Sequence, residues 1–434
     1  MNNRSRCSDG SVPRSSVIDC AGVVTQQVII HQLQNDLSVV IEPMDGVQSV
    51  AFTFLVPAGV VYEPGDRRGA MSILCDLSMR GAGERDNRKL VTDLDNLGVE
   101  RAESVGASHI SFSAATLSDH LVEALTIYSD VLRRPHLPES AFEATCALAM
   151  QELAGLEDEP RQKVMMKLQE HHYSDPWGRS SMGTNEGIGA LKHSEVVALF
   201  QDCYQPNGTI LAVAGKVDPS IILPLVDRLF GDWEPGTGMV KPGTSEGVSV
   251  EHIHQETSQT QIGIAYPSVV YRHDEYFSAF GAVGVLSGGM SARLFTEVRE
   301  KRGLCYSVYA SHHTLRDLAS VMCYAGTSSD RAQETLEVTL GELSRLAEGV
   351  FPDELDRVKA RIKSALIMQQ ESPSSRSASV ARDWYHLGRV CSFEEVHQRV
   401  DRLRCDDITD HLGRYPVKDY TIVTLGPQPL DMPS

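Results

Sequence analysis

The chain is 434 residues long, which at roughly 150 residues per domain points to two or three domains. Its 41% hydrophobic and 23% charged residues are those of an ordinary globular protein, which excludes long disorder, collagen and coiled coil as the main architecture. Acidic residues outnumber basic ones by 58 to 40, a formal charge of -18. Such a surface repels phosphate backbones and excludes nucleic acid as a general partner, while still allowing a local cationic lining inside a cavity.

Residues 1–27 read as a disordered tail. Residues 1–20 hold three Arg and many Ser without the apolar core of a secretory signal. A mitochondrial presequence is the alternative, so a cytoplasmic location is expected, with the mitochondrial matrix as the second choice. The uncharged stretch Gly46–Tyr62 is too short and too mixed to span a bilayer, so no membrane association is expected. The nine cysteines are odd in number, widely spaced and without a C-x-x-C, which fits buried thiols in a reducing compartment.

In chain order, Val28 to Pro43 predicts two short strands around a turn at Gln34-Asn35-Asp36, and Val47 to Tyr62 a strand running into a loop. Helices are predicted over Gly69–Met79 and Lys89–Leu97, then strands over Val99–Val105 and Ser108–Thr116. Helical periodicity covers Leu121–Leu132, Glu139–Leu156, Arg161–His172 and Ser194–Tyr204. Thr209–Gly215 reads as a buried strand and Pro219–Phe230 as a helix. Glu234 to Gly247, dense in Gly, Pro and Thr, reads as an interdomain linker.

The second half repeats the first. Val60-Val61-Tyr62 returns as Val269-Val270-Tyr271 at an offset of 209. Thr116-Leu117-Ser118-Asp119 returns as Thr327-Ser328-Ser329-Asp330 at 211, and Pro138-Glu139 as Pro352-Asp353 at 214, the last two pairs each reading as a helix start. Three matches in order at nearly constant offset indicate a duplicated domain. Strands of antiparallel character mixed with long helices place the fold in the α+β class: two duplicated domains, each a mainly antiparallel sheet packed against α-helices.

The chemistry concentrates in two segments. In the helix after the first long strand, Ser72, Cys75 and Asp76 stand at i, i+3 and i+4 and share one face. This strand, loop and Gly-led helix resemble the pitrilysin (insulinase-like) metallopeptidases, a family that includes mitochondrial processing peptidase. In active members this helix carries the inverted zinc motif H-x-x-E-H, whose two His bind zinc and whose Glu activates water. The resemblance puts Ser72, Cys75 and Asp76 at those positions, so both His ligands and the base are replaced. It puts the third zinc ligand at Glu152, in Met150-Gln151-Glu152-Leu153 followed by Glu157-Asp158-Glu159-Pro160. One surviving carboxylate does not hold a catalytic zinc, which takes three protein ligands. A rewired site built from Cys75, Asp76 and Glu152 is chemically allowed.

Pro176-Trp177-Gly178-Arg179 with Gly183, and Tyr204-Gln205-Pro206-Asn207, resemble two further segments of the family. The likeness then runs over residues 28–430. In the second half, Leu286-Ser287-Gly288-Gly289-Met290 precedes Arg299-Glu300-Lys301-Arg302-Gly303-Leu304-Cys305-Tyr306. Arg299 and Tyr306 have the seven-residue spacing of the family's substrate-gripping Arg and Tyr, donors that can hold peptide carbonyls and an oxyanion. Gly288 and Gly289 read either as a glycine-rich loop that lets another chain approach or as a plain turn. No H-x-x-E-H or H-E-x-x-H occurs, and the adjacent pairs His171-His172 and His312-His313, with His252 and His254, read as surface or packing residues.

The resemblance thus implies residues 28–233 as an N-terminal peptidase-like domain with an erased zinc motif, 234–247 as the linker, and 248–434 as a C-terminal domain carrying the Arg/Tyr pair. It implies a substrate-binding subunit without catalysis of its own, with no cofactor in this chain. Zinc is expected in a heterodimeric partner of the same family, with an extended peptide as substrate. The alternatives are a structural scaffold subunit and a self-sufficient metalloprotease with a rewired site.

Overall fold

The computed structural model describes residues 26–237 and 250–432. The expected linker therefore falls largely outside the described residues, as does the expected disordered tail up to residue 25. Gln26 is described, and its side chain donates to Glu42 and accepts from the Phe393 backbone N–H.

The first half contains β1 (Ile29–Gln32), β2 (Ser38–Pro43), β3 (Ser49–Val56), α1 (Ala70–Ser78), the two-residue strands β4 (Gly81–Ala82) and β5 (Arg85–Asp86), and α2 (Asn87–Asn96). It continues through β6 (Glu100–Val105), β7 (Ile110–Leu117), α3 (Leu121–Arg133), α4 (Glu139–Gly155), α5 (Pro160–Tyr173), α6 (Asn185–Ala190), α7 (His193–Cys203), β8 (Ile210–Gly215) and α8 (Pro219–Phe230). The second half contains β9 (Val250–His254), β10 (Gln259–Pro267), α9 (Tyr276–Ser287), β11 (Cys305–Thr314), β12 (Ala319–Ser328), α10 (Ala332–Arg345), α11 (Pro352–Gln370), α12 (Pro373–Leu387), α13 (Phe393–Arg402), α14 (Cys405–Arg414) and β13 (Thr421–Gly426). The elements expected from periodicity in the first half are present, with ends shifted by a residue or two. The expected list omits the short α6, whose segment has two glycines and no amphipathic period. It forms because the Thr184 hydroxyl caps the Gly187 N–H at 3.0 Å.

The duplication shows in the sheet order. The first sheet runs β1-β2-β8-β3-β7-β6, and the second, read from its far edge, β9-β13-β10-β12-β11. In each the one parallel pair stands at the same place, β2 with β8 and β9 with β13, and the other neighbours are antiparallel. The repeated Thr116–Asp119 and Thr327–Asp330 segments are not helix starts. Each closes a strand (β7, β12) and then makes one tight turn, Ser118–His120 or Ser329–Arg331, before the helix. The Pro138 and Pro352 matches do mark helix starts, at α4 and α11.

The two units exchange helices. α5 of the first packs on β10 and β13 of the second sheet, and α12 of the second packs on β3 and β8 of the first. One cluster joins Val164, Leu168 and Trp177 to Met322, Val423 and Leu425, and another joins Val40 and Ala212 to Val380 and Ala381. Each central sheet is thereby covered on both faces, which is why β8 and β13 are buried at every position and read as unbroken apolar runs rather than alternating ones. Polar contacts cross the same seam: Arg376 with Glu42, the Tyr173 hydroxyl with Ser320 at 2.7 Å, and His172 with the Thr421 hydroxyl at 3.0 Å. Among the described residues no helix is long and apolar enough to cross a membrane.

Candidate functional site

The helix α1 is set by the loop that precedes it. Gly69, at φ +104°, caps it, and a Cβ there would meet Ile188 at 2.8 Å; Gly183 at φ +71° lies against Gly69 so closely that its own Cβ would fall 2.4 Å from the Gly69 Cα. Glu63 closes the helix N-terminus, accepting from the Gly69 N–H at 3.1 Å and the Met71 N–H at 2.8 Å. Arg179 fastens this loop, donating to the Glu63 carbonyl at 2.6 Å while holding both carboxylate oxygens of Asp175 at 2.8 Å. The Pro-Trp-Gly-Arg segment singled out in the sequence is therefore architecture that orients α1.

Burial pushes the Glu63 carboxyl up to about 7, against the opposing pull of the Met71 and Gly69 N–H groups and of Arg179 and Arg68. The folded chain thus holds this proton more tightly than the unfolded chain, whose Glu titrates near ~4.3. The resulting stabilisation is complete below the unfolded value and is lost as pH rises through about 7. Glu63→Gln keeps one acceptor and cannot ionise. The expected result is that the difference in denaturation midpoint between the native chain and this variant shifts in the variant's favour from pH 5 to pH 8. A difference that stays flat over that range removes Glu63 as the titrating group.

On the face of α1 that would serve zinc, each residue is occupied or withdrawn. The Ser72 hydroxyl donates to the Ser181 carbonyl at 2.5 Å. Cys75 is buried, and desolvation, with the Glu103 and Asp76 carboxylates nearby, pushes its thiol up to about 12, so it stays protonated. Asp76 receives Arg80 through Nε at 2.5 Å and Nη2 at 3.2 Å, and the Thr145 hydroxyl from α4 at 3.1 Å. Thr145 is thus the α4 residue that meets Asp76, whereas Glu152 lies seven residues further along the helix, about 10 Å, and is exposed. These residues do not fit a zinc ion: a hydroxyl turned to a carbonyl, a neutral thiol and a carboxylate neutralised by Arg80. Among the described residues no group of three or more His, Cys, Asp or Glu stands close enough to hold a metal, so Cys75, Asp76 and Glu152 are not brought together as a rewired site.

Arg299 and Tyr306 are brought together. Phe295–Glu300 winds as a wide turn with i to i+5 bonding, the Lys301 N–H donating to the Thr296 carbonyl at 2.9 Å. Such turns concentrate at functional sites. The Arg299 guanidinium lies 4.9 Å from the Phe295 ring centroid and 5.5 Å from that of Tyr306, so it is stacked in place. Glu297 takes both Lys301 at 2.6 Å and Arg302 at 2.8 Å, and Arg299 has no carboxylate partner among the described residues. Tyr306 is 83% exposed and is the extra residue of a bulge: Cys305 pairs with Thr327 and Ser307 with Gly326. It stands second in β11, the edge strand of the second sheet, so a row of backbone donors and acceptors runs beside the pair. The family resemblance singled out this pair, which its spacing alone would not have done; the bulge that turns Tyr306 outward carried no signal in the sequence.

Gly288 ends α9, and a Cβ there would fall 2.2 Å from the Gly284 carbonyl; Gly289, at φ +146°, has nothing within 4 Å of a Cβ. Within this chain the two glycines make the turn that follows α9. The histidines form separate contacts: His171 with Glu251, His254 with Glu256 at 3.2 Å, His252 with the Thr424 hydroxyl at 2.9 Å, His312 with the Ser268 hydroxyl at 2.9 Å and His313 with the Tyr173 hydroxyl at 2.8 Å. The carboxylate beside His254 comes from just past the end of β9, two residues on.

Residues 38–185 match the family described as Insulinase (Peptidase family M16), and residues 190–362 match the Peptidase M16 inactive domain. The chain is similar to an "Uncharacterized zinc protease" of Rickettsia felis, 25% identical over 405 residues that span 92% of this chain and 98% of the relative. It is equally similar to one of Bacillus subtilis, 25% identical over 411 residues, 93% of this chain and 99% of the relative. Its fold is that of the solved peptidase M16 inactive domain from Pseudomonas fluorescens (TM-score 0.86, 18% identity, covering 94% of this chain and 99% of that one). It is also that of a protease from Helicobacter pylori (TM-score 0.85, 17% identity, 93% and 100%). With its two halves matched in order and the whole architecture shared, the chain, whose sequence contains no H-x-x-E-H, belongs to the insulinase-like M16 peptidases.

Proposed function

We propose that this chain is the non-catalytic, substrate-binding subunit of a heterodimeric zinc peptidase. A family partner carries H-x-x-E-H and the zinc, and this chain completes the chamber and grips an extended peptide. The observation that carries the reading is a contrast within one molecule. The zinc face of α1 is closed by Arg80, Thr145 and the Ser181 carbonyl, whereas Arg299 and Tyr306 stand side by side at a sheet edge, exposed and, among the described residues, without a carboxylate partner. An extended peptide beside β11 can take its backbone bonds, and the guanidinium and phenol hydroxyl can donate to its carbonyl oxygens as negative charge develops there.

The test is reconstitution. The purified chain is expected to hydrolyse no peptide and to bind no stoichiometric zinc, and a zinc-bearing family subunit from the same cell is expected to become active when this chain is added. Zinc and peptidase activity in the isolated chain would overturn the proposal. A stable complex with neither would assign the chain to a scaffold.

A further inference from the structure

A cavity of about 470 Å³ lies between α9, α11, α12 and α13 with β11 as one wall, and neither α1 nor Tyr306 lines it. That volume falls within the range of small-molecule sites, roughly 300–1,000 Å³. Its floor is apolar, with Phe277, Phe280 and Val283 from α9 facing Ile362 and Leu366 from α11. Phe280 remains 37% exposed, which is unusual for a large aromatic in a wall of this kind.

The charge of the lining is opposite to that of the chain. In a protein of net charge -18, this cavity is walled by three arginines and one acid. The acid, Asp383, has both oxygens engaged, one by the Tyr271 hydroxyl at 2.8 Å and the other by the Cys391 N–H at 3.1 Å. Of the arginines, Arg376 is consumed by Glu42. Arg361 and Arg382 have no carboxylate within ion-pair distance among the described residues. Arg361 makes one long contact, 3.5 Å to the Ser287 carbonyl, and Arg382 rests 5.4 Å from the Tyr271 ring centroid. A further polar atom is left over: His312 lines the cavity, its Nε2 meets the Ser268 hydroxyl, and its Nδ1 is buried with no partner among the described residues. Buried ring nitrogens are ordinarily bonded, so an orphan in a cavity wall marks a place for a ligand atom.

We propose that this cavity binds a small organic anion with an apolar body, such as a carboxylate on an alkyl chain, its head at Arg361 and Arg382 and its chain over Phe280. Nothing in the peptide-gripping role requires this site.

The test is calorimetric titration of the full chain with decanoate below its micellar concentration, with decyltrimethylammonium as a cation of the same apolar length. One decanoate per chain is expected, with the cation at least tenfold weaker. Arg361→Gln with Arg382→Gln should weaken decanoate tenfold or more, and Phe280→Glu should abolish it, with an unchanged thermal midpoint verifying that each variant is folded. The proposal is overturned if decanoate does not saturate, if the cation binds equally well, or if the folded double variant binds as tightly as the native chain.

Discussion

Arg299→Ala combined with Tyr306→Phe is expected to lower kcat/KM of the reconstituted peptidase by about 10²–10³, the usual cost of removing preorganised donors from a developing oxyanion. The fold should not register the change. Tyr306 is 83% exposed and Arg299 has no ion pair among the described residues, so the pair lies in the class of surface substitutions that alter stability by about 0.5 kcal/mol or less. An unchanged thermal midpoint with collapsed activity separates a gripping role from a structural one. The two side chains stack at 5.5 Å, so their effects should be less than additive: Tyr306→Phe retains the ring that holds the guanidinium, whereas Tyr306→Ala releases it. The expected order of loss is therefore Tyr306→Phe, then Tyr306→Ala, then the double variant. Full activity of the double variant in the complex would end the gripping role.

The largest stability effect is expected at Arg376. Its guanidinium meets Glu42 at 2.6 and 3.1 Å, with side chains only 3% and 4% exposed, and its face lies 4.2 Å from the Phe393 ring centroid. Glu42 sits on β2 of the first sheet and Arg376 on α12 from the second half, so the pair latches the exchanged helix to the sheet it covers. Arg376→Ala leaves a buried carboxylate with Gln26 as its remaining side-chain donor among the described residues, a change that typically costs about 3–5 kcal/mol. Exchanging both partners for apolar residues, Glu42→Leu with Arg376→Met, should restore most of that loss, because desolvation of the two charges disappears with them. With two units in one chain, unfolding need not be two-state, so the first transition in urea is the relevant reading. A loss below 1 kcal/mol for Arg376→Ala would mean that water reaches Glu42 and that the latch contributes little.

Much of the fold was legible because it is written in local periodicity. The apolar run Ile210–Gly215 is a strand buried on both faces, and the helical repeat over Leu121–Leu132 forms α3, which is buried nearly all round over its second half. The helix-start reading of Thr116 and Thr327 misplaced the boundary by a few residues, since the same Ser-Asp pattern that opens a helix also makes the tight turn before it. Of the site, the spacing of Arg299 and Tyr306 was legible, but not the bulge that makes Tyr306 the unpaired residue, because a bulge depends on the register of the neighbouring strand. Asp76 with Arg80 could have been read as an i,i+4 pair; its second partner, Thr145, lies sixty-nine residues away and could not.

By itself the sequence determined what is covalent or near in the chain: the absence of any H-x-x-E-H, the seven residues between Arg299 and Tyr306, the duplication and most element types. Only the tertiary structure decided which halves exchange helices, which carboxylates are neutralised, and that arginines from α11 and α12 share one cavity. Those outcomes depend on burial and pairing between residues far apart along the chain, and burial is a property of the packed molecule that no local window of residues contains.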